Sequence, residues 1–82
     1  MDTVSFIRED SSRWTLAVDR AGRLALSDDS DPGRVYSAIR VVESSRMPQG
    51  LRDDVAAAIR RILYIRRLRR DESLRGRAGF SS

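Results

Sequence analysis

Six arginines fall within eleven residues, at Arg60, Arg61, Arg66, Arg67, Arg69 and Arg70, and no acid interrupts them. A guanidinium stays charged at any physiological pH and presents a planar fork of donors to phosphate or carboxylate oxygens. It grips anions in pairs of hydrogen bonds but gives up no proton. Arg75 and Arg77 repeat the same chemistry five and seven residues past Arg70. The chemistry this pattern supports is therefore the binding of a polyanion or an acidic surface.

Other chemistries lack their residues. The chain contains no histidine and no cysteine. The usual general base and thiol nucleophile are missing, as are disulfides and the common zinc ligand sets. The acidic neighbours Asp28-Asp29 and Asp53-Asp54 do not converge on one substrate atom by adjacency alone. Asp28, Asp29 and Asp31 lack the alternating spacing, glycine and distal glutamate of a calcium loop, so they read as turn and capping residues. Gly22, Gly33 and Gly50 are isolated and form no phosphate loop. The expectation is a non-enzymatic module with no catalytic residue, metal or cofactor.

The charge is divided along the chain. Residues 1–50 hold seven arginines against eight acids, and residues 51–82 hold nine against four. Net charges of −1 and +5 for the two parts point to an acidic or polyanionic partner for the C-terminal part. All sixteen basic residues are arginine. That uniformity matches the composition of a GC-rich genome, so the placement of the arginines carries the information. Met1–Asp10 lacks the apolar core of a signal peptide, and no apolar run approaches the ~18 residues of a membrane span. A cytoplasmic location, or one within a larger particle, is expected.

The arginines need a helix to carry them. From Leu51 the period places Leu51, Val55, Ile59 and Ile62 on one face, with Ala58 and Leu63 beside it. Continuing that face brings Arg66, Arg69 and Arg70 where core residues should follow. The helix, predicted over 51–72 with Asp53 and Asp54 in its first turn, should leave its own core after about Ile65. Tyr64 lies opposite the core face.

Upstream, Val4 and Phe6 alternate with polar residues as in a short strand, and Glu9–Ser12 is a polar turn. Trp14, Leu16 and Val18, then Leu24 and Leu26, alternate around Asp19-Arg20-Ala21-Gly22, which predicts a β-hairpin closed by a type I turn with a left-handed glycine. Residues ~33–46 are expected as a helix with Asp31 as N-cap and Pro32 at its first position, packing through Val35, Ile39 and Val42. Their β-branched content also permits a strand.

The predicted architecture is α+β: an antiparallel hairpin or meander (~3–27) packed against helices ~33–46 and ~51–72, the second long and arginine-rich. Residues 1–72 form one small domain and 73–82 a flexible Arg/Gly tail. The expected core is Phe6, Trp14, Leu16, Val18, Leu24, Leu26, Val35, Ile39, Val42, Val55, Ile59 and Ile62.

Two partners suit the basic helix. Nucleic acid would be held through phosphates by Arg60, Arg61, Arg66, Arg67, Arg69, Arg70, Arg75 and Arg77, with little sequence specificity because no reading motif is present. An acidic protein surface would instead take Ile65, Leu68 and Phe80 as apolar contacts framed by the arginines. A membrane-surface helix is a lesser third reading. Homo-oligomerisation stays open.

Arg75-Gly76-Arg77-Ala78-Gly79-Phe80 resembles the Arg/Gly-rich ending of small phage head–tail joining proteins of the lambda W type. The hairpin Leu16–Leu26 looks like one in small phage baseplate proteins. The resemblance implies a virion or phage-encoded accessory protein that works by assembly. W-type proteins begin with a helix, whereas this chain begins with a predicted strand, so their helix order does not map here.

Overall fold

The computed structural model describes the backbone from Asp2 to Ser81 and the side chains as far as Asp71. Strands β1 (Thr3–Ile7), β2 (Arg13–Val18), β3 (Leu24–Asp28) and β4 (Val35–Ser37) precede helices α1 (Ala38–Glu43) and α2 (Gln49–Ser81). The strands form one antiparallel sheet in the order β1-β2-β3-β4. The α+β class expected from the periodicities is present. No described helix is long and apolar enough to cross a membrane.

The alternation seen in the sequence becomes two faces. Val4, Leu16, Leu26 and Tyr36 stand opposite one another across the four strands, and Val18 stands opposite Leu24. Directly opposed residues share a face. That face is covered by α2 over β1 and β2, and by α1 over β3 and β4. Val4, Leu16, Val18 and Leu26 are buried there with Ala38, Val41, Leu51, Val55, Ala58 and Ile62. The opposite face carries Ser5, Thr15, Ser27 and Val35 in one rung and Thr3, Ala17, Ala25 and Ser37 in the next.

The β1–β2 and β2–β3 hairpins turn with the same geometry. In β2–β3, Asp19 Oδ1 accepts from the Arg23 amide at 2.8 Å, the Gly22 amide donates to the Asp19 carbonyl, and Gly22 sits at φ +82° as expected. In β1–β2 the corresponding left-handed position is held by Ser11 at φ +68°. There Asp10 accepts from the Ser12 amide at 3.0 Å and from its hydroxyl, which hold the exposed Asp10 carboxyl below its ordinary pKa. The Ser12 hydroxyl oxygen also accepts from Trp14 Nε1 at 3.1 Å.

The predicted helix over 33–46 is divided. Residues 35–37 pair with β3, and only Ala38–Glu43 are helical. Ser37, not Asp31, is the N-cap, accepting from the Arg40 amide. The acidic segment before β4 instead turns on itself, with Asp28 Oδ1 accepting from Ser30. A strand's two-residue alternation points Tyr36 inward and Val35 outward. The helix that follows then buries Ala38 and Val41, so Val35 and Ile39 stay 62% and 46% exposed outside the core. Tyr36 packs against Trp14 with ring centroids 6.1 Å apart, and Arg34 lies over the Tyr36 ring.

Candidate anion-binding face of the long helix

α2 begins two residues before the expected Leu51, after Pro48, whose carbonyl accepts the Arg52 amide. Asp53 and Asp54 therefore fall in its second turn. Asp53 accepts from Gln49 Nε2 at 2.8 Å, while Asp54 reaches out to Arg8 at 3.5 Å. The buried line is Leu51, Val55, Ala58 and Ile62. Its spacing of four, three and four residues is that of a seam against a flat sheet. Ile59, expected in the core, packs only partly against it, and Ile65, expected as an apolar partner contact, is half-buried against the same core.

Ile62 is the last fully buried residue of α2 among those described. Beyond it the helix continues in arginine, reaching Asp71 about 34 Å from its start at 1.5 Å per residue. Leu68, about 100° around the helix from the buried line, is 45% exposed. The projecting basic rod expected from the period is present as a helix.

The arginines divide into two groups. Arg66 Nε lies 3.9 Å from Asp2, and Arg69 is also ion-paired with Asp2. These two hold the start of β1 against the helix, so they are not simply available to a partner. Arg60, Arg61, Arg67 and Arg70 are exposed and pair with no carboxylate among the described residues. At 100° per residue, Arg60, Leu63, Arg67 and Arg70 form one outward face. Leu63, Arg66, Arg67 and Arg70 line an open groove of 620 Å³ along it. A phosphate or carboxylate in that groove would meet guanidinium donors from successive turns.

Apolar surface accompanies the charge. Leu63 and Tyr64 are 51% and 62% exposed on this stretch. Leu63, beside the core face in the sequence reading, turns away from the sheet. Asp2 was missed altogether. Its signal was faint: an acid at the head of the first strand, with nothing local to name a helix some sixty residues away as its partner. The side chains of Arg75, Arg77 and Phe80 lie outside those described, while the backbone of α2 runs to Ser81, past the predicted helix end at 72 and into the segment expected as a flexible tail. No group of potential metal ligands occurs among the described residues. No family model, curated protein or solved structure matches this chain.

Proposed function

We infer that this protein is a non-catalytic binding module that docks on nucleic acid through the outward face of α2, with little sequence specificity. The observation that carries the reading is the set of three exposed arginines on that face, Arg60, Arg67 and Arg70, without a carboxylate partner among the described residues. A helical backbone is already ordered, so docking its exposed guanidinium groups on phosphates costs side-chain rotamer freedom but no backbone ordering. Tyr64 offers a ring on which an unpaired base can stack. Arg75 and Arg77 would add backbone contacts.

The test is binding to mixed-sequence DNA and RNA across a salt series. Log affinity should fall linearly with log salt. Replacing Arg60, Arg67 and Arg70 together with alanine should reduce the duplex-DNA slope by about 3, since each phosphate contact is worth roughly 0.9. An absence of binding at low salt overturns the reading.

A second reading is favoured by exposed Leu63, Tyr64 and Leu68. Apolar residues framed by arginine suit an acidic protein groove within a larger assembly, such as a virion. In that case Leu63→Ala and Leu68→Ala would weaken partner binding as much as the arginine replacements, and nucleic acid would not compete.

A further inference from the structure

Among the described residues both edges of the sheet are unpaired, and they are not equivalent. β4 has three residues, whereas β1 is five residues long and uncharged from Thr3 to Ile7. The Val18 amide donates to the Asp2 carbonyl, and the Arg8 amide to the Ser12 carbonyl. Alternation then turns the Val4 and Phe6 backbone groups toward β2 and those of Thr3, Ser5 and Ile7 outward. An edge of this kind is a template for another strand.

We propose that the occupant is β1 of a second copy, paired antiparallel about a two-fold axis at Ser5 to give a continuous eight-stranded sheet. The register is self-complementary. Ser5 faces Ser5, Thr3 faces Ile7, and every outward amide and carbonyl of the three residues finds a partner. The next pair outward is Asp2 against Arg8 of the second copy, once on each side of the axis, so the charges at the strand ends attract in this arrangement.

The helices agree with it. α2 runs antiparallel to β1, with Asp54 beside Arg8 at one end and Arg66 and Arg69 beside Asp2 at the other. The two-fold operation brings the Asp54 end of one helix to the Arg66–Arg69 end of the other. Because α2 covers β1 and β2 together, the two copies of α2 would lie about 10 Å apart over strands spaced ~4.8 Å, an ordinary helix-packing distance. A notch of 110 Å³ between β1 and α2, lined by Phe6, Ile7, Asp54, Ala57, Ala58 and Arg61, lies on that seam. Ala57 and Ala58 leave room there for a second helix. Arg61 lies nearest the axis in both copies, and its length lets it turn to solvent. The dimer would double the basic face.

Sedimentation of the full chain, with Ser5→Pro and Ser5→Cys variants, tests this. The Ser5 amide donates nothing to β2, and only its hydroxyl does, to Thr15 Oγ1 at 3.2 Å, so proline at this edge position keeps the backbone ladder of the monomer and removes the central hydrogen bonds of the pairing. The wild type should sediment as a dimer, and Ser5→Pro should weaken self-association by about tenfold or more with an unchanged helical spectrum. Ser5→Cys should cross-link under mild oxidation, since paired Cα atoms lie about 5.5 Å apart. Ser27→Cys, central on the open face, should not. A wild type that stays monomeric at every concentration overturns the proposal. So does a dimer that survives in folded Ser5→Pro. If Ser5→Pro fails to fold, the outcome rests on the Ser5→Cys cross-link, whose absence overturns it.

Discussion

The two halves of α2 share a backbone conformation and little else. From Leu51 to Ile62 the helix presents Leu51, Val55, Ala58 and Ile62 to the sheet and buries all four. From Leu63 to Arg70 it contains five residues that are arginine or tyrosine, and every residue but Ile65 is exposed. The first half is helical because burying its apolar seam stabilises it, whereas the second inherits a nucleated helix and extends it at low cost. Leucine and arginine are good helix formers, so propagation needs no tertiary contact. The lesson is that a folded core can serve as the nucleus for a rod whose surface is then free for binding.

The sharpest way to break this comparison is to truncate neighbours across the boundary. Ile62→Ala should destabilise the protein by about 2–5 kcal/mol in urea denaturation. Leu63→Ala, one residue on, should stay within about 0.5 kcal/mol. Similar costs at the two positions would mean that the core extends further along α2 than its burial indicates.

Asp2 ties the second half of α2 to the start of β1 and predicts a trade. Its side chain is 14% exposed, while those of Arg66 and Arg69 are 44% and 65% exposed. Solvent screening keeps the pairs weak, so Asp2→Asn should cost no more than about 1 kcal/mol. The same change releases two guanidinium groups, so the salt slope of duplex-DNA binding should steepen by up to about 2. Lower stability with an unchanged slope would assign Arg66 and Arg69 a purely structural role.

The remaining expected effects are smaller and lie away from α2. Ser11 occupies the left-handed position that Gly22 fills in the other hairpin, so Ser11→Gly relieves a steric cost while adding freedom to the unfolded chain. Thermal melts should show a gain of a few tenths to about 1 kcal/mol, smaller than the loss from Ile62→Ala. The Asp10 carboxyl, held below its ordinary pKa by Ser12, stabilises the fold above the usual aspartate range and loses that contribution as pH falls through the lowered value. Ser12→Ala should flatten the acid limb of a stability-versus-pH profile, with no change near neutrality beyond the lost hydrogen bonds.

Local signals were legible where one period ran unbroken. The β2–β3 hairpin carries strict alternation and an Asp-to-Gly turn, and it folds as read. Residues 34–46 were not legible in the same way. Val35, Tyr36, Val41 and Val42 suit a strand as well as a helix, and the acids before them imitate a helix cap. Pairing of Tyr36 beside Leu26 decides the matter by adding a fourth strand, and Ser37 then caps a shorter helix. Within the candidate site, the basic run and the outward position of Tyr64 were readable from helical spacing. The exposure of Leu63 and the role of Asp2 depended on where the sheet lies relative to the helix.

Residue types and their order alone determined the charge division, the absence of histidine and cysteine chemistry, the hairpin and the basic helix. Each follows from composition or from a repeat within a few neighbours. Tertiary structure decided the fate of the individual arginines. Arg66 and Arg69 meet Asp2 because α2 runs antiparallel to β1 on the sheet, while Arg60, Arg67 and Arg70 face away from it. A guanidinium's availability depends on which carboxylates lie within reach, and those come from distant parts of the chain.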